Sequence, residues 1–279
     1  MADIGQLADL KRRGQRIVMV TAYDYPSARV VETAGVDVVL VGDSAATTVL
    51  GYQTTREVSL EEMLILTRAV RRGLTTTPLI GDLPFGTYEE SDERALQTAR
   101  AFMAAGCDGV KLEGAESRLD RVRALVADGI PVMGHVGLEP QTVASPDGFR
   151  VRGRAADAAL KIINDARELE GAGCFALVVE AVPTVVADAL TARVAFPVIG
   201  IGASANTDGQ VLVYHDLLGL IDAKRPKFVK EYVALAGPMV AAIRRFAQDV
   251  RRGEFPAPEH GYAMPELERV RFLELLASS

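Results

Sequence analysis

At 279 residues, with 49% hydrophobic, 24% charged and 6% aromatic side chains, the chain has an ordinary globular composition, which excludes wholesale disorder. The length suits one large domain, ~250 residues being typical of a single (β/α)8 barrel. Its 31 basic and 37 acidic residues leave a net charge of −6, with no electrostatic footprint for nucleic acid or an anionic membrane.

In chain order, residues 1–16 are polar and carry no apolar core behind their basic residues, so they do not read as a signal peptide. No run approaches the ~18 apolar residues of a membrane span, and a cytoplasmic protein is expected. Short β-branched runs then alternate with stretches of helical period. The runs are Ile17–Thr21, Val36–Val41, Pro78–Ile80, Gly109–Leu112, Pro131–Met133, Phe175–Val179 and Pro197–Ile201. Such continuous apolar runs suit strands buried on both faces of a parallel sheet. Helices are expected over Ser59–Arg72, Ser91–Ala105, Ser117–Ala127, Ala155–Gly171 and Thr184–Thr191. Ser59 with Glu62 forms a capping box, Ser91 offers an N-cap, and Gly35, Gly106, Gly129 and Gly173 are placed as left-handed C-caps. The eighth strand is either Val211–Tyr214 or Lys227–Val229, the latter ahead of a long helix from about Leu235 to Arg252. A single (β/α)8 barrel fits this order better than an open doubly wound sheet, because no glycine-rich turn follows the first strand.

In such a barrel the C-terminal ends of the strands share one mouth, where active sites sit. Those ends carry Asp24, Asp43-Ser44, Asp82, Lys111-Leu112-Glu113, His135 and Glu180. Several carboxylates buried together require a cation; oxygen donors favour Mg²⁺, and the lack of a Cys/His cluster argues against zinc. Asp24 reads either as a helix cap or as part of the mouth. Lys111 and Glu113, two apart, face the same way, as an interior ion pair or as a ligand grip. His135, between Gly134 and Val136-Gly137, is either a core imidazole or a polar neighbour of a ligand. Glu180 follows five apolar residues, so burial is expected to raise its pKa and suit it as a general base. Cys107 and Cys174 fall at strand starts and read as structural. The GxGxxA match at Gly200–Ala205 follows the seventh strand instead of the first and reads as a close-approach loop. Arg150, Arg152 and Arg154 read as a solvated or subunit-contacting loop, with anion binding as the other option.

These strand ends lie in longer stretches: Thr21-Ala22-Tyr23-Asp24, Leu40–Ser44, Asp82–Phe85, Val110–Gly114, Gly134–Gln141, Glu180–Pro183, Ile199–Ala203, Asp208–Asp216, Pro226–Lys230 and Phe255–His260. Together they resemble the ketopantoate hydroxymethyltransferase family from about residue 5 to 262. The resemblance implies a barrel of the isocitrate lyase/phosphoenolpyruvate mutase type and transfer of a hydroxymethyl group from 5,10-methylenetetrahydrofolate to 3-methyl-2-oxobutanoate, giving 2-dehydropantoate for pantothenate and coenzyme A synthesis. It implies metal contact at Asp43, Asp82 and Glu113, keto-acid contact at Asp43, Ser44, Asp82 and Lys111, a proton-abstracting base at Glu180, and a homodecamer. His135 is placed beside the keto acid. Elementary chemistry agrees: a carbon nucleophile beside a carbonyl needs a base, and a Lewis acid to stabilise the enolate. The catalytic barrel is accordingly set at 1–262, with 263–279 as a C-terminal extension carrying a helix near Pro265–Leu276. The chain departs from the family at Ala45-Ala46, at Pro146-Asp147 and at Gly261. The lyase branch of the fold carries a Lys-Lys-Cys-Gly-His loop, which this chain lacks, and a catalytically silent barrel would have lost Glu180 or a metal carboxylate.

Overall fold

Side chains two apart on one strand face the same way, and here that simple alternation builds both the core and the mouth. In the computed structural model, which describes residues 3–143, 145, 149–221 and 226–279, eight parallel strands close into a barrel in sequence order, β1 pairing with β8. Elements run α1 (Gln6–Arg12), β1 (Ile17–Thr21), α2 (Tyr25–Ala34), β2 (Val38–Val41), α3 (Ala45–Thr48), α4 (Leu60–Gly73), β3 (Leu79–Asp82), α5 (Asp92–Ala104) and β4 (Gly109–Lys111). They continue as α6 (Leu119–Ala127), β5 (Val132–Gly137), α7 (Ala156–Gly171), β6 (Ala176–Glu180), α8 (Thr184–Thr191), β7 (Val198–Ile201), β8 (Gly209–Leu212) and α9 (Tyr214–Leu218).

The inward positions Ile17, Met19, Val38, Leu40, Ile80, Met133, Ala176, Val178, Ile199 and Val211 form an apolar interior, closed by the fully buried Leu7 of α1. Outward positions such as Val39, Val41, Leu79, Val110, Val132 and Val179 pack under the helices. Lys11 of α1 donates to Val194 O and Phe196 O and pairs with Asp208 at 2.9 Å, tying the plug to the strands around it.

Local signals act as the sequence indicates. Ser59 and Glu62 make the reciprocal capping box of α4, and Ser91 accepts from the Arg94 N–H at the start of α5. The four glycines at the helix ends all take positive φ. The eighth strand is the earlier candidate, begun two residues sooner, and the GxGxxA segment runs from the end of β7 into the β7–β8 connection, further along which the Thr207 hydroxyl donates to backbone oxygens. β5 extends well beyond Met133, because β6 pairs with it through Gly137. Asp24 caps α2, accepting from the Ser27 N–H at 2.7 Å. Ala45 and Ala46 are buried at the start of α3, whereas Pro146-Asp147 lies outside the described residues. Cys107 and Cys174 are free and buried just ahead of β4 and β6; burial pushes both thiols up, Cys174 to about 12. Arg150, Arg152 and Arg154 are exposed.

The chain divides into two compact units, the first ending at Tyr232 and the second spanning Val233–Ser279, whereas the sequence places the boundary at 262. The second unit holds α10 (Ala236–Arg252), ended by a left-handed Gly253, and α11 (Glu266–Ala277), with the rings of Phe246, Phe255 and His260 in contact. No helix among the described residues is long and apolar enough to cross a membrane.

Candidate active site

One step further along the inward faces, hydrocarbon gives way to charge. Ile80 is followed by Asp82, Met133 by His135 and Val178 by Glu180, while β4 supplies Lys111 and, just past its end, Glu113. Register sets Asp82 directly beside Lys111 across β3 and β4. The Lys111 Nζ donates to Asp82 Oδ1 at 2.6 Å and lies 3.8 Å from Glu113 Oε1. The other Asp82 oxygen accepts from the Asp43 N–H at 3.1 Å, which holds the β2–α3 loop against β3.

His135 stands between two carboxylates, its Nδ1 3.5 Å from Glu113 Oε1 and its Nε2 3.4 Å from Glu180 Oε2. These are ion-pair distances; neither ring nitrogen nor Glu113 Oε1 has a formed hydrogen bond, although all three are buried. Asp43, Asp82, Lys111, Glu113, His135 and Glu180 thus make one continuous line, and Ser44 joins it through its neighbour Asp43. The Ser44 hydroxyl shares a 2.8 Å hydrogen bond with that of Tyr23.

Electrostatics within the line are uneven. Burial, reinforced by the carboxylates of Asp82 and Glu113, pushes Asp43 well above the usual carboxylate range. Burial also raises Asp82, against the opposing pull of Lys111. Glu113 is held below the usual range despite its burial, by His135, Lys111 and the Gln141 N–H. Burial and Lys111 disfavour a charged His135, but Glu113 and Glu180 outweigh them and push it up to about 9. Lys111 is stabilised as a cation by Asp82, Glu113 and Asp43, which overcome its burial. The groups that oppose a charged carboxylate are strongest at Asp43, where burial and two neighbouring carboxylates act together.

Glu180 differs from the others. Its side chain is 14% exposed, against 2% for Glu113 and His135, so its carboxylate is the one that meets the open mouth. The backbone passes it closely: Gly137, at φ +100°, pairs with Glu180, and a Cβ there would come within 2.3 Å of Glu180 O. Only glycine fits that crossing.

Three buried residues that touch the line are not singled out by strand-end reasoning. Tyr23 bonds Ser44, Gln141 bonds Asp43 and Glu113, and Tyr88 bonds Gln141. All sit past strand ends, where alternation no longer gives side-chain direction. Tyr23 and Gln141 do fall inside the family-like stretches; Tyr88 falls in none.

A closed eight-strand parallel barrel with its charged groups gathered at the strand ends gives the chain a fold shared with solved members of the PEP mutase/isocitrate lyase superfamily. The crystal structure of 2,3-dimethylmalate lyase, described as a member of that superfamily, matches with a TM-score of 0.56 over 98% of this chain and 96% of its own, at 17% identity. Sequence comparison is narrower: the family model described as ketopantoate hydroxymethyltransferase matches residues 2–258, and the chain belongs to that family. A relative from Oleidesulfovibrio alaskensis, named 3-methyl-2-oxobutanoate hydroxymethyltransferase, is 50% identical over 96% of this chain and 93% of its own length. One of the same name from Geobacillus kaustophilus is 47% identical over 94% of each.

Proposed function

We propose that the chain is a cytoplasmic enzyme that transfers the one-carbon unit of 5,10-methylenetetrahydrofolate, with water, to C3 of 3-methyl-2-oxobutanoate, releasing 2-dehydropantoate and tetrahydrofolate. The observation that carries this reading is the unbroken line of buried charge from Asp43 to Glu180 in a member of this family. Asp43, Ser44, Asp82 and Lys111 hold the keto acid, the Lys111 ammonium facing its negative oxygens. His135 lies beside the substrate and holds Glu180 in place. Glu180 takes the C3 proton, and the electron pair left on the substrate forms the new bond to the folate-borne carbon; that carbon gives up both its bonds to the folate nitrogens and takes its hydroxyl from water, the C3 proton and the remaining water proton ending on tetrahydrofolate.

The residues present fit a divalent metal. Glu113 Oε1 is buried without a hydrogen-bond partner, and burial with the carboxylates of Asp82 and Glu113 works against a charged Asp43, a cost that a bound cation would relieve. Asp43, Asp82 and Glu113 are all hard oxygen donors, the type Mg²⁺ prefers. Among the described residues no group of three or more acidic, imidazole or thiol side chains is arranged to hold a metal ion by itself. Mg²⁺ typically takes one or two carboxylates directly and completes its shell with water and substrate oxygens. Bound there, the ion supplies Lewis acidity at the keto and carboxylate oxygens of the substrate.

The test is proton exchange. With Mg²⁺ but without folate, the protein should replace the C3 hydrogen of 3-methyl-2-oxobutanoate by deuterium in D₂O, followed by NMR. Chelation should stop the exchange and added Mg²⁺ should restore it. No exchange at saturating metal would overturn the mechanism; exchange without formation of 2-dehydropantoate when methylenetetrahydrofolate is added would overturn the transferase assignment. The homodecamer implied by the family resemblance belongs to the same proposal. Hydrodynamic mass should then come out at ten times the 29.9 kDa of one chain, and a monomer or dimer would refute it.

A further inference from the structure

The proton-transfer scheme leaves Gln141 without a role, yet it is 2% exposed and makes four polar contacts to the site and its loops. It lies just past β5, in the 3-10 turn Pro140–Thr142. Its Nε2 donates to Asp43 Oδ2 at 3.1 Å and to Leu83 O at 2.9 Å, while its Oε1 accepts from the Tyr88 hydroxyl at 2.7 Å. Its own backbone N–H donates to Glu113 Oε2 at 2.9 Å. A side-chain amide can sit two ways round, with oxygen and nitrogen exchanged. Exchange here would turn the amide oxygen onto Leu83 O and the Asp43 carboxylate, acceptor against acceptor. The bonding therefore admits one orientation. Tyr88 reinforces it from both sides, donating to Oε1 and accepting from the Glu113 N–H at 3.3 Å.

We propose that Gln141 is a positioning residue that fixes one oxygen each of Asp43 and Glu113 and so sets the direction in which the other oxygen of each meets a divalent cation. This deepens the metal reading given above and rests on it. Asp43 and Glu113 come from different strand ends, after β2 and β4, and the structure gives no direct bond between them; Gln141 is the residue that bonds both. Carboxylates already turned to their working direction lose less freedom when the ion binds. Outer partners of this kind typically change metal affinity by about 10–100-fold when removed.

The test is Mn²⁺ binding, followed by electron paramagnetic resonance, and Mg²⁺ binding by calorimetry, in the wild type and in Gln141→Met. That variant keeps the length of the side chain and the backbone N–H but deletes both side-chain donors. Affinity should fall about 10–100-fold, and C3 exchange should return towards the wild-type rate at saturating metal. A merely structural role would instead lower the active fraction at every metal concentration. Tyr88→Phe, which removes the reinforcing bond to the amide oxygen but keeps the amide donors, should move affinity the same way by less. Wild-type affinity in folded Gln141→Met overturns the proposal. Should that variant not fold, Gln141→Ala and Tyr88→Phe take its place: weakened binding supports the proposal, and wild-type affinity in both overturns it. A wild-type protein that binds neither ion overturns the metal reading itself, and this proposal with it.

Discussion

Glu180→Gln should lower the rate of C3 proton exchange by about 10²–10⁴-fold, the usual contribution of a positioned general base. The amide is nearly isosteric, so the β6 end, the Gly137 crossing and the apolar interior below remain as they are. What disappears is the basic oxygen and one of the two negative charges facing His135. Keto-acid affinity should change little, because Asp43, Ser44, Asp82 and Lys111 are untouched. A quench or NMR measurement of exchange, alongside a binding titration of the unreactive analogue 3,3-dimethyl-2-oxobutanoate, separates the two quantities. Near wild-type exchange in the folded variant would move the base elsewhere in the line, with His135 the next candidate.

Lys111→Met should be the most damaging single change to the folded state. Its ammonium is 4% exposed, sits 2.6 Å from Asp82 Oδ1 and is the fixed cation among three buried carboxylates. Removing one partner of a buried pair leaves the other uncompensated, which typically costs about 3–5 kcal/mol. For a unit of this size that corresponds to a fall in Tm of roughly 6–20 °C. Activity should fall with it, through lost grip on the keto acid, even well below the melting temperature. Calorimetry on the purified variant provides the check; an unchanged Tm would mean that the carboxylates are neutralised by something other than Lys111.

How much of this is legible in the sequence depends on where a residue sits relative to a strand. Asp82, Lys111, Glu113, His135 and Glu180 can be read from alternation, because each continues an inward series by one step. Asp24 cannot be resolved that way: the same Asp at a strand end serves as a cap or as a ligand, and only the position of Ser27 decides for the cap. Gln141 and Tyr88 stand on loops whose paths are set by tertiary contacts, so nothing local to their sequence shows that their side chains meet. The short α1 plug escapes a sequence reading because two leucines in a polar stretch give too little periodicity, whereas its burial comes from the barrel it enters. The length of β5 escapes it too, because Gly134, His135 and Gly137 are poor strand formers, held extended by their pairing with β6.

The apolar interior has a second consequence, for the medium around the site. Met19, Leu40, Ile80, Met133 and Val178 lie under the charged groups, so the floor of the mouth is hydrocarbon and thioether, not water. Such a floor has a far lower dielectric constant than water, and mobile ions cannot reach the groups from beneath. Charges resting on it interact over several ångströms with little screening, and added salt weakens them far less than it would an exposed pair. The line from Asp43 to Glu180 therefore behaves less as separate side chains than as a chain of neighbouring charges, each acting on the next across a floor that does little to damp them.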